Sequence, residues 1–119
     1  MKFAICNETF QDWPFDRAFA FARECGYTGV EIAPFTIAKD VNDISPTKRR
    51  QVRQQAEEAG LEVIGLHWLL AKTQGFQLTA RDEPVRVRTA QYLVELARCC
   101  RDLGGDILVL GSSLRFKTL

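Results

Sequence analysis

One arrangement occurs three times in this chain and restricts its fold more than any other feature. A helix tail meets a glycine, and a short aliphatic run follows at once. Ala22-Arg23-Glu24-Cys25-Gly26 leads into Tyr27-Thr28-Gly29-Val30-Glu31-Ile32. Ala56-Glu57-Glu58-Ala59-Gly60 leads into Leu61-Glu62-Val63-Ile64-Gly65-Leu66. Cys100-Arg101-Asp102-Leu103-Gly104 leads into Gly105-Asp106-Ile107-Leu108-Val109-Leu110. Glycine takes the left-handed conformation that ends a helix, because it has no Cβ to clash. Helix-to-strand joints this short belong to α/β units.

The helix starts carry their own marks. Asp12 is expected to cap a first helix with Pro14 in its first turn, where a missing N–H is harmless. Phe15, Ala18, Phe19 and Ala22 then share a face. Ser45-Pro46 opens a second helix. Its body, Lys48 to Ala59, is polar except for Val52, Ala56 and Ala59, as suits an outer helix. Asp82 and Pro84 open a third, with an expected stripe of Ala90, Leu93, Leu96, Ala97, Cys100 and Leu103.

The strands are expected at Phe3–Cys6, Val30–Ala33, Val63–His67 and Ile107–Leu110. They are nearly continuous apolar runs, the pattern of parallel strands covered on both faces. The order is β-α-β-α-β-α-β, with right-handed crossovers. No Pro/Ser-rich linker breaks it.

Four parallel strands fit either an open doubly wound sheet or part of a closed barrel. Nucleotide-binding open sheets carry a glycine-rich turn after the first strand. Here Asn7-Glu8-Thr9-Phe10 follows instead. Polar and aromatic residues gather where each strand ends: Asn7 and Glu8, Glu31, His67 and Trp68, Ser112 and Ser113. The longer connections, Pro34 to Asp43 and Leu69 to Arg81, also follow strands. A barrel builds its site from those ends, so the fold expected is α/β, the N-terminal half of a (β/α)₈ TIM barrel. At 119 residues the chain is well short of a whole barrel of about 250.

Composition removes several functions. Lys+Arg is 16 against Asp+Glu 15, giving a formal net charge of +1, so neither nucleic acid nor an anionic membrane is expected as a partner. The apolar run at the N-terminus is too short for a leader or a membrane span. Cys6, Cys25, Cys99 and Cys100 follow no metal spacing and read as reduced, mostly buried thiols of a cytoplasmic protein.

Each candidate site residue has a functional and a structural reading. Glu31 contacts a substrate hydroxyl or another site residue, or is a paired acid in the barrel mouth; a strand charge is costly unless used. His67, the single histidine, is a substrate contact, a proton shuttle, a metal ligand or a satisfied structural group. Without a second ligand nearby, no metal site is assigned. Of Asn7 and Glu8, one points into the mouth and one away, since strand residues alternate. Trp13, Phe35 and above all Trp68 are rings that stack on the apolar face of a ligand or simply close the barrel end. Lys48-Arg49-Arg50 with Arg53 reads as a solvated helix face. Gly111-Ser112-Ser113 is a poor phosphate turn, because no helix start follows.

The chain resembles the sugar phosphate isomerase/epimerase family, which has the xylose-isomerase-like barrel and includes ketose 3-epimerases. Met1 to Glu8 is similar to its first strand. Gly26-Tyr27-Thr28-Gly29-Val30-Glu31-Ile32 is similar to its second, often G-[FY]-x-G-[VI]-E. Gly60 to His67 and Leu103 to Ser112 are similar to its third and fourth. The likeness spans about residues 1–112; residues 113–119 form an atypical tail, and a reading frame cut or shifted near Ser113 is expected.

The resemblance implies metal-assisted proton transfer on a ketose or aldose. A divalent Mn, Co or Mg ion holds sugar oxygens, and paired carboxylates move the proton through an enediolate. The metal ligands and those carboxylates belong to later strands. Asn7, Glu8, Glu31, His67 and Trp68 are therefore the expected substrate side, with no catalytic residue and no metal in this chain, and the isolated polypeptide is expected to be inactive. Two alternatives are a half-barrel assembly module that self-associates through exposed strand edges, and a fragment of a metal-dependent endonuclease. Apurinic endonucleases with the same barrel carry a zinc-ligand histidine on the third strand, but the near-neutral charge argues against that reading.

Overall fold

A computed structural model describes residues 1–110. Gly111, Ser112, Ser113 and the tail to Leu119 lie outside the described residues, and with them the poor phosphate turn and the expected frame shift.

The elements run β1 (Ala4–Cys6), α1 (Phe15–Glu24), β2 (Gly29–Ile32), α2 (Pro46–Glu58), β3 (Glu62–His67), α3 (Glu83–Leu103) and β4 (Ile107–Val109). All three strand pairings are parallel, and the strands lie side by side in chain order. That order decides between the two architectures. A doubly wound sheet reverses its strand order at a switch point. A barrel advances one strand at a time in one direction, as this sheet does.

The three joints behave as their glycines require. Gly26, Gly60 and Gly104 sit at φ 98°, 79° and 93°. Each strand begins within a few residues, on hydrogen bonds such as Leu61 N–H to Ala56 O at 2.9 Å and Gly105 N–H to Cys100 O at 2.9 Å.

The core lies between strands and helices. Val30, Ile32 and Leu66 meet Phe19 and Ala22 of α1, Val52 and Ala56 of α2, and Leu96, Cys99 and Leu103 of α3. Ser45 caps α2, its hydroxyl accepting from Lys48 N–H at 3.1 Å.

Three helix readings need correction. Asp12 does not cap α1; it takes φ 67°, and Pro14 is the capping residue. The buried face of α3 is Thr89, Tyr92, Leu96, Cys99, Cys100 and Leu103, whereas Ala90 and Ala97 are exposed. The face is rotated because the loops, not only the sheet, pack on it. Tyr92 Oη accepts from Val41 N–H at 3.1 Å and its ring stacks on Phe76. Thr89 Oγ1 accepts from Gln77 N–H at 2.9 Å.

The third correction concerns the basic run on α2. Arg49 is buried, not solvated. Its guanidinium donates to Ile44 O, Val41 O and Asp102 Oδ2 at 2.9, 3.1 and 2.9 Å. A planar fork of donors suits this task, tying the second loop to α3 while leaving no buried donor idle. Arg50 and Arg53 remain exposed, and Lys48 is half-buried.

The thiols also differ from expectation. All four are free, but Cys25 is exposed and Cys6 half-buried; only Cys99 and Cys100 are buried. Among the described residues, no helix is long and apolar enough to cross a membrane.

Candidate active site at the strand ends

The carboxyl ends of β1, β2 and β3 bring Cys6, Glu8, Glu31 and His67 together. The register explains how. Cys6 pairs with Glu31, and Glu31 pairs with Gly65, so all three share one sheet face. His67 lies two residues beyond Gly65 and points the same way. The alternate residues Ile32 and Leu66 point to the helices and are buried.

This depends on an irregularity in β3. Val30 pairs with Val63, but Glu31 pairs with Gly65, so Ile64 is an extra residue. Such a bulge moves everything after it to the opposite face. With regular pairing, Glu31 would oppose Ile64, and His67 would turn toward the helices. Two glycines accommodate the distortion. A Cβ on Gly65 would lie 1.9 Å from Ile107 O, and one on Gly105 would lie 2.7 Å from Gly65 Cα.

His67 stands between two carboxylates. Nδ1 is 3.3 Å from Glu31 Oε2, and Nε2 is 4.0 Å from Glu8 Oε1. The first contact has the distance of an ion pair but not the alignment of a hydrogen bond, so the buried Nδ1 has no hydrogen-bond partner. The three side chains are between 26% and 31% exposed, so small solutes reach them.

A short 3₁₀ turn, Asn7–Phe10, sets the choice between Asn7 and Glu8. Glu8 turns toward His67. Asn7 is buried, accepts from Ala33 N–H at 2.8 Å and donates to Thr36 Oγ1 at 2.8 Å. Both ends of its amide are thus taken within the chain. Asn7 thereby latches the first loop to the second and also lines the cleft beside the cluster.

Cys6 belongs to the cluster, although its spacing in the sequence marks no site and it reads there only as a reduced thiol. Burial pushes its thiol up to about 11, and the Glu8 and Glu31 charges push the same way. At neutral pH it is therefore a thiol and not an attacking thiolate. Its place was legible in principle: it is the last residue of the first strand, level with Glu31.

Aromatic residues flank the cluster. Trp68 packs edge-on to Phe35 at 5.7 Å, and Lys72 Nζ lies 4.6 Å over the Phe35 ring. Trp68 and Lys72 both take φ 58°, a conformation costly for side chains of this size. A neighbouring cleft of about 510 Å³ is lined by Phe10, Trp13, Phe35, Thr36 and Lys72 among others. Trp13 packs on Phe10 and Phe21, so it walls the cleft.

A sheet wound in one direction, with its polar cluster at the carboxyl ends, defines part of a parallel β/α barrel. The sequence comparison makes this specific. A family model, the xylose isomerase-like TIM barrel, matches residues 19–118, and the chain belongs to that family. Among solved structures it is similar to a xylose isomerase domain protein from Alicyclobacillus acidocaldarius subsp. acidocaldarius. The two share 23% identity at a TM-score of 0.58, over 88% of this chain and 34% of that one. At this identity the likeness shows the fold, and the chain spans about one third of that protein's length. Comparison with curated proteins finds no match.

Proposed function

We propose that this chain supplies the substrate side of a sugar (phosphate) isomerase or epimerase barrel, one that moves a proton on a ketose or aldose. The observation that carries this reading is His67 held between Glu31 and Glu8 at the strand ends. An imidazole in that position donates from one nitrogen and accepts on the other, and the carboxylates accept from sugar hydroxyls. The Phe35–Trp68 pair beside it offers an apolar ring face of the kind sugars stack on.

The resemblance puts the divalent Mn, Co or Mg of the family on carboxylates and a histidine of later strands. Among the described residues, the cluster of potential metal donors contains a thiol and is not that set. No step is therefore assigned to that ion here. The residues of this chain bind and orient the sugar, and the polypeptide by itself does not turn it over. The free thiols suit the reducing cytoplasm.

Saturation-transfer NMR with a panel of ketoses and their phosphates tests the reading. Wild-type chain is expected to bind at least one, and His67→Ala to lose it. A panel with no binding would refute the sugar side, and metal-dependent epimerisation by the pure chain would refute the inactivity. A second reading, self-association, draws on the exposed apolar residues Phe3 next to β1 and Ile107, Leu108 and Leu110 at β4. Both are outermost strands of the sheet, and unpaired strand edges seek partners. Light scattering expects a discrete dimer on this reading, and a monomer at all concentrations would remove it.

A further inference from the structure

Glu8 and Glu31 converge on one histidine, and among the described residues no Lys or Arg lies within ion-pair distance of either carboxylate. Two acidic groups left without a fixed cation call for a counter-charge. The same spot holds a thiol. Cys6, Glu8 and His67 each turn one ligand-capable atom inward, and these atoms lie within 4.8 Å of one another.

We propose that Cys6 Sγ, a Glu8 carboxylate oxygen and His67 Nε2 form a three-donor site for Zn²⁺, with Glu31 as the outer partner that holds the imidazole. Four arguments support the assignment. Sulfur, nitrogen and oxygen together match zinc, a borderline-soft ion, and not the hard Mg²⁺ or Mn²⁺; binding exchanges the Cys6 thiol proton, which passes to solvent, for the ion. Three protein donors leave the fourth tetrahedral position open to water or a substrate oxygen, as in catalytic zinc sites. Glu31 Oε2 lies 3.3 Å from Nδ1, so a modest realignment makes it that nitrogen's acceptor and leaves Nε2 on the Glu8 side. A carboxylate on one ring nitrogen and a metal on the other is the usual arrangement of zinc-bound histidine.

The size also fits. Donors at zinc distances sit about 3.3–3.6 Å apart in a tetrahedron. The Nε2 to Glu8 Oε1 separation is 4.0 Å, so closing on the ion takes only a small side-chain rotation. The donors come from β1, the turn after it and β3, all within this chain. The inference does not rest on the sugar reading: zinc binding without ketose binding would leave it standing.

Cobalt substitution of the full chain tests it. Co²⁺ is expected to bind one per chain, with tetrahedral visible bands and a sulfur-to-cobalt charge-transfer band, and Zn²⁺ to displace it. Cys6→Ser should abolish the charge-transfer band while circular dichroism stays unchanged. Glu31→Gln should keep the band and weaken binding about 10–100-fold. Cys25→Ser, at an exposed thiol, should change neither. Cadmium NMR on the unsubstituted chain supplies a readout that needs no variant, with a shift for one sulfur ligand. Substoichiometric binding, a band that survives Cys6→Ser, or a cadmium shift without sulfur would overturn the site.

Discussion

Adding one methyl group at Gly65 tests the link between the sheet and the site most directly. In Gly65→Ala the new Cβ would lie 1.9 Å from Ile107 O, 2.7 Å from Ile107 C and 3.0 Å from its Cα. All three are backbone atoms, so no side chain can swing aside. Ordinary carbon contacts begin near about 3.5 Å, so β4 must retreat by roughly 1.5 Å. That retreat breaks bonds joining β3 and its extension to β4, among them Trp68 N–H to Val109 O at 3.2 Å and Asp106 N–H to Ile64 O at 3.0 Å. Two backbone bonds contribute about 1 kcal/mol each. Overpacking adds about 1–3 kcal/mol. The expected loss is therefore about 3–5 kcal/mol, a large share of the roughly 5–15 kcal/mol that holds a domain together. Urea unfolding followed by tryptophan fluorescence measures it as a lower midpoint at constant slope. A loss below about 1 kcal/mol would refute the claim that β3 and β4 need bare backbone here.

Three further substitutions and one labelling experiment probe the surrounding structure. Arg49→Ala should destabilise by about 2–4 kcal/mol, since it strands two buried carbonyls and Asp102; a surface-like loss under about 0.5 kcal/mol would contradict its burial. The bond from Arg49 holds the Asp102 carboxyl below the usual range. A lowered folded value means that the pair's contribution is full above the unfolded carboxylate value, near about pH 4, and disappears as pH falls through the folded one. Asp102→Asn should therefore cost about 1–2 kcal/mol at neutral pH and flatten the acid limb of the stability profile, and an unchanged limb would count against the pair. Tyr92→Phe should cost about 1 kcal/mol and speed amide exchange at Val41, whose N–H loses its acceptor; unaltered exchange there would argue against the bond. Iodoacetamide should label exposed Cys25 in the native chain, while Cys99 and Cys100, buried and with thiols pushed up by burial, react only on unfolding; equal rates would contradict the packing.

The fold was readable because its strongest signals are local. Each glycine had to stop a helix, and each following run was too short and too apolar for anything but a strand. The site was readable only in part. Glu31 and His67 stand out as polar residues at apolar strand ends. Their contact was not readable, because it depends on which face His67 takes, and that is set by pairing between strands some 30 residues apart. Cys6 was missed for the same reason: its neighbour across the sheet gives it meaning. Arg49 was hidden in a basic run because burial is a property of the loop that folds over it. Asp12 lost its capping role to tertiary geometry, as φ 67° places it in a turn instead.

Ile64 makes the arrangement a matter of parity. Side-chain exchanges along Glu62–His67, Gly65 apart, leave an odd-even count intact, so imidazole stays with its carboxylates. Losing Leu66 would set His67 opposite Ile32 and invert that count, whereas losing Ile64 would only straighten the strand. Past the bulge, chain length therefore matters more to the cluster than the identity of most side chains.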